Sequence, residues 1–229
     1  QGYIGYDLQN GIRTELIKGG IYKPVSTILT QVTVDPYDES SYIPVKKIGR
    51  FMSAQEAKEE EEKGNYVTEV PGKGFCRIVA APKPVAIVEI DAIKALLDAD
   101  QIVIACGGGG IPVMEQGSTL KGASAVIEKD LASGLLAQEV DADVLMILTD
   151  VDEVALNYGS SDERGLTELS AKDAEKYMED GQFGSDTMAP KIQAALSFLR
   201  SGKDRAAVIT SQNKAKEAMA GKSGTWIRP

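Results

Sequence analysis

Three lysines, a run of glycines and the absence of histidine define the chemistry open to this chain. No histidine occurs among the 229 residues, which excludes His-based general bases, Ser-His triads and His-ligated metals. Lys, Asp, Glu and backbone amides remain. Cys76 and Cys106 show no Cys-x-x-Cys spacing, so neither a disulfide framework nor a zinc site is expected, and no metal-ligating residues are assigned. Lys129 stands beside Asp130, Lys191 beside Pro190, and Lys46 beside Lys47. A lone lysine is ordinarily a solvated surface group. Gly107 to Gly110 follow the apolar run Ile102 to Ala105. Glycine forfeits side-chain contacts and costs backbone entropy, so the run reads as a close backbone approach to a ligand rather than as packing; the alternative is a flexible loop. Phosphoryl transfer suits this set. Its transition state spreads negative charge over oxygens, which lysines and loop amides stabilise without histidine.

These residues must be positioned by elements. Ile102 to Ala105 predicts a parallel strand buried on both faces, with the glycines past its carboxyl end, where α/β sheets bind ligands. Ile4, Leu8, Ile12 and Leu16 predict an amphipathic helix ended by Gly19-Gly20, an unusual first element for an α/β chain. Thr27 to Val34 predicts a strand. Residues 35–82 differ in texture, with prolines, tyrosines and the acidic run Glu59 to Glu62. Ser53 and Glu56 form a capping-box pattern that predicts a helix over 54–63, and Gly72 to Val79 a returning strand. The segment reads as a lid subdomain inserted in one α/β domain spanning 1–229. Helices are expected over 88–98 and 125–140, the latter with Glu128, Lys129 and Asp130 in its first turn. Val144 to Leu148 reads as a second apolar strand, ending in Thr149-Asp150-Val151-Asp152. Ser170 begins a helix, Pro190 another, Arg205 to Thr210 is a strand, Ser211 caps the next helix, and residues 224–227 form a final strand. Strand–loop–helix units in succession predict a mostly parallel, doubly wound sheet.

Composition bounds the function. With 25 basic and 34 acidic residues the net charge is −9, which argues against nucleic-acid binding. No segment approaches ~18 uninterrupted apolar residues, so no membrane span is expected, and the absence of a signal-like start together with the sparse cysteines fits the cytoplasm.

Five stretches, Gln1 to Asn10 (QGYIGYDLQN), Ala105 to Val113 (ACGGGGIPV), Val126 to Ser133 (VIEKDLAS), Leu148 to Asp152 (LTDVD) and Met188 to Lys191 (MAPK), together resemble carbamate kinases of the amino-acid kinase superfamily. The resemblance implies a three-layer α/β/α sandwich, a homodimer, and reversible phosphoryl transfer between ATP and carbamate through carbamoyl phosphate, in arginine catabolism. It implies that Lys129 and Lys191 neutralise the transferring phosphoryl while Asp130 holds both ammonium groups. Lys46 would reach the carbamate from the lid, and Gly107, Gly108 and Gly109 would contact substrate. Thr149, Asp150, Val151, Asp152, Leu156, Tyr158, Met188, Ala189 and Pro190 would bind ATP or ADP, with Mg2+ held mainly through the nucleotide phosphates. The chain departs from the family at Lys47, Glu153, Ala155 and Gly184 to Thr187, where proline, glycine, an aromatic and a different loop are usual. A related kinase for another small acceptor therefore stays open, as does an inactive nucleotide-binding homologue. The family also places a strand and two glycine loops ahead of the position of Gln1, so the 229 residues alone are expected to bind adenine nucleotide but to transfer phosphate poorly.

Overall fold

A computed structural model describes all 229 residues and divides them into two compact units, Gln1–Glu89 with Val103–Glu128, and Ile90–Ile102 with Lys129–Pro229. In the first unit, helix α1 (Gly2–Lys18) leads to strands β1 (Val25–Thr27), β2 (Gln31–Val34) and β3 (Pro44–Met52), helix α2 (Ala54–Glu62), and strands β4 (Tyr66–Val70), β5 (Gly74–Ala80) and β6 (Pro84–Ile87). Strand β7 (Ile102–Ile104), which enters the unit at Val103, and strands β8 (Ile111–Gln116) and β9 (Thr119–Gly122) complete it. One sheet runs β6-β2-β8-β9, with β2 parallel to β8 and the outer pairings antiparallel. A separate antiparallel sheet, β3-β5-β4, carries α2 and occupies most of the segment with the distinct texture. The capping box is formed: the Ser53 hydroxyl accepts from the Glu56 amide, and the Glu56 carboxylate accepts from the Ser53 amide.

Three expectations for this unit fail for identifiable reasons. Thr27 to Val34 is two strands rather than one, because the side chain and backbone of Thr30 are engaged elsewhere. The Gln1 side-chain amide donates to the Thr30 carbonyl and accepts its N–H, and the Thr30 hydroxyl accepts the Cys106 N–H. β7 is three residues long and half-buried rather than enclosed on both faces, since its one partner is β1. The stretch from Ala125 to Glu128 is not helical: Ala125 bridges Ala80, and Val126 N–H donates to the Ala80 carbonyl. The hairpin β8–β9, turning at Gly117 with φ +60°, gave no clear local signal.

The second unit contains α3 (Ile90–Asp98), α4 (Lys129–Glu139), β10 (Val144–Thr149), β11 (Val154–Leu156), β12 (Arg164–Leu166), β13 (Glu168–Ser170), α5 (Ala171–Glu179), α6 (Ala189–Arg200), β14 (Ala206–Ser211), α7 (Ala215–Met219) and β15 (Thr225–Arg228). Its sheet runs β10-β14-β15-β13, with β10 parallel to β14 from Val144 opposite Ala206 to Thr149 opposite Ser211, and β13 parallel to β15. β14 pairs antiparallel with β15, so parallel and antiparallel ladders mix within an α/β fold. The strand enclosed on both faces is the central β14, buried from Ala207 through Ser211, whereas on β10 Leu145 and Ile147 are buried and Leu148 is 44% exposed. Ile192, Ala195 and Phe198 of α6 pack with Val154, Ile209 and Ile227 to form the core. Ser211 does not cap the following turn; its hydroxyl goes to the Asp152 carboxylate instead.

Candidate active site

The second unit brings two of the expected charged residues into contact by close helix packing. A Cβ on Gly134 of α4 would meet Ala194 of α6 at 3.2–3.3 Å, so glycine there lets the two helices approach. Asp130 lies one turn before Gly134, and Lys191 lies three residues before Ala194. Their side chains meet at 2.9 Å, only 9% and 11% exposed respectively. Lys191 also donates to the Thr187 carbonyl at 3.3 Å. Lys191 is thus a buried, paired group rather than the solvated residue its position at a helix start suggests. Lys129, the first residue of α4, is exposed and makes no ion pair, so Asp130 holds one ammonium group and not both.

Beside this pair lies a cavity of about 360 Å3. Lys129, Thr149, Asp150 and Lys191 line it and also line a second hollow bounded by Leu148 and residues 211–213. These four residues therefore mark one end, where two ammonium groups, a hydroxyl and a carboxylate converge. The remaining wall comes from the loop after β10, the β11–β12 hairpin and the loop between α5 and α6. Of the expected nucleotide residues, Thr149, Asp150, Val151, Tyr158 and Met188 line the cavity. Asp152, Leu156, Ala189 and Pro190 do not. Asp152 is bonded to Ser211, Leu156 is 8% exposed within the core, and Ala189 and Pro190 form the first turn of α6. Gln182 and Phe183 line the cavity but were missed, because the stretch after α5 reads only as a loop. Glu153, Ala155 and Gly184 to Thr187, marked earlier as departures, are in or beside the wall: Glu153, Ala155, Gly184, Asp186 and Thr187 line it directly.

The acceptor residues expected from the sequence lie in the first unit. Lys46 on β3 is paired with the Glu128 carboxylate, a partner no local pattern shows. The glycines form a short 3-10 turn, Gly107–Gly109, entered through Cys106 at φ 55°. Packing does explain two of the four, contrary to expectation. A Cβ on Gly109 (φ +100°) would meet the Ile127 carbonyl at 2.3 Å, and one on Gly110 (φ +85°) would meet Val32 at 2.3 Å. Gly108 has φ +70° with open space around it, and Gly107 has only ordinary contacts with Gln1. These two remain available to a ligand.

The chain that carries this site is similar to known proteins over nearly its whole length. The amino acid kinase family pattern matches residues 50–211. The chain is 52% identical over 227 residues to the carbamate kinase-like protein YqeA of Escherichia coli, covering 99% of the chain and 73% of that protein. It is 50% identical over 228 residues to the carbamate kinase of Clostridium perfringens, with the same coverage of each. Carbamate kinase from Giardia lamblia bound to AMP-PNP superposes with a TM-score of 0.90 at 38% identity, over 99% of the chain and 72% of that structure. The chain belongs to the amino acid kinase family.

Proposed function

We propose that the protein is a carbamate kinase, which in the ATP-forming direction transfers the phosphoryl group of carbamoyl phosphate to ADP. The observation that carries this reading is the exposed Lys129 beside the buried Lys191–Asp130 pair at one end of the cavity. A terminal β-phosphate oxygen of ADP attacks the phosphorus, the bond from phosphorus to the carbamoyl oxygen breaks, and carbamate leaves with that electron pair. No proton needs to move, so no histidine is required. The lysines oppose the charge on the transferring oxygens, and Asp130 fixes the Lys191 ammonium so that little reorganisation accompanies the step. Besides Asp130, which is taken up by Lys191, Asp150 is the carboxylate that lines the lysine end. Mg2+ would be held mainly through the nucleotide phosphates, with Asp150 as its protein partner, and would supply further charge neutralisation there.

Within the first unit, Lys46 and the Gly107–Gly109 turn are assigned to the acceptor, with the β3-β5-β4 sheet as the lid that carries Lys46. The lysine's pairing with Glu128 favours one second reading, a kinase for a different small acyl phosphate. Exposed Tyr3, Ile4 and Tyr6 on α1 fit a homodimer, and a cytoplasmic enzyme of arginine catabolism is the proposed setting. In the natural full-length protein, ADP with carbamoyl phosphate should yield ATP, and ADP with acetyl phosphate should not. ATP from acetyl phosphate alone would establish the second reading, and ATP from neither would overturn both.

A further inference from the structure

We propose that Glu153 is a specificity-determining residue that accepts hydrogen bonds from the ribose hydroxyls of the nucleotide, so that the protein discriminates against 2′-deoxyribonucleotides. The inference rests on the reading that the cavity of the second unit holds a nucleotide. Glu153 lines that cavity, is half-buried, and makes no hydrogen bond or ion pair. An ionised carboxylate can only accept, so a nucleotide that displaces solvent from it has to supply donors.

Position along the wall selects which donors these are. Thr149 and Asp150 belong to the lysine end, where phosphates fit. Beyond them the lining residues of the loop run Val151, Glu153, Ala155 and Tyr158, while Asp152 is turned away to Ser211. Along this loop Glu153 is thus the first hydrogen-bonding side chain after the phosphate end, within about 10 Å of chain from Asp150. In a nucleotide the ribose follows the phosphates in the same order. The wall also offers Ala155, Phe183 and Met188, apolar surface for the face of a base. The chemistry agrees: adenine sets its one donor, the 6-amino group, beside acceptor ring nitrogens, whereas the ribose diol presents two donors side by side, a pairing used by acidic residues in other nucleotide sites.

The β11–β12 hairpin holds the carboxylate in place. Ala155 pairs with Gly165, and a Cβ on Gly165 would lie 2.6 Å from Glu153 Oε2. The missing side chain is what gives the carboxylate its seat, so Gly165→Ala should displace it without removing it.

Calorimetric titration of the protein with ADP, 2′-deoxy-ADP and GDP tests the assignment. The wild type should bind ADP roughly 10-fold tighter than 2′-deoxy-ADP, as for a hydrogen bond to a charged group. Glu153→Ala should bring that ratio close to one by weakening ADP alone, Gly165→Ala should lower it, and Glu153→Gln, which keeps an acceptor of the same shape, should retain part of it. An equal ratio in wild type and Glu153→Ala overturns the inference, as does a change confined to GDP, which would place the carboxylate at the base edge. Absence of ADP binding in the wild type would instead overturn the nucleotide reading beneath it.

Discussion

Lys129 and Lys191 bring the same charge to the same cavity, yet their removal has different costs. Replacing Lys191 with alanine leaves the buried Asp130 without its partner. Breaking a buried pair from one side costs about 3 kcal/mol, far more than loss of a solvated lysine. Lys191→Ala should therefore lower the free energy of unfolding in urea by about that amount, and adding Asp130→Asn should recover most of it. An unchanged denaturation midpoint in the single variant would mean that the pair is solvated in solution. The residue types and their order were legible in the sequence. The burial of Lys191 and the Lys46–Glu128 pair were not, since each depends on a partner 61 or 82 positions away.

At the scale of elements, the contact between α4 and α6 is the device that builds the lysine end. Gly134→Ala would add a methyl 3.2 Å from backbone and Cβ atoms of Ala194, which cannot swing aside. Overpacking costs about 1–3 kcal/mol, and alanine returns about 1 kcal/mol of helix propensity, so a net loss of about 1 kcal/mol is expected. It should be accompanied by slower phosphoryl transfer as Asp130 and Lys191 are pushed apart. A higher melting temperature with full activity would show slack between the helices. Helix α2 makes a separate pH prediction. A hydrogen bond from Arg50, then those from Ser53, pull the Glu56 carboxyl down from its ordinary 4.5 to about 2. A depressed folded value means that this contribution is complete above the unfolded value and is lost as pH falls through about 2. A carbon-detected NMR titration of the Glu56 carboxyl should show its midpoint near 2; a midpoint near 4.5 would mean that both the Arg50 contact and the cap fray in solution. This helix was legible because its start signal is local. The start of α4 was displaced to Lys129 because residues before it pair with Ala80, a long-range choice that helical periodicity cannot reveal.

Across the whole molecule, five short stretches in order along the chain carried the family, and the fold agrees with them over 99% of the chain. The sequence could not show the division into two units, because Ile90–Ile102 joins the second unit across an intervening return to the first. Nor could it show which glycines serve packing, as Gly109 and Gly110 answer to Ile127 and Val32 and only Gly107 and Gly108 are left open. The central claim is that lysine charge at one end of the second unit's cavity stabilises the transferring phosphoryl, and Lys129 tests it most directly. Lys129 is exposed and unpaired, so alanine there should change stability by no more than about 0.5 kcal/mol. The decisive measurement is the rate of ATP formation from ADP and carbamoyl phosphate in the natural full-length protein carrying Lys129→Ala. The melting temperature should be unchanged and the rate lowered by roughly 100-fold or more. A folded variant that turns over at nearly the wild-type rate would contradict the claim.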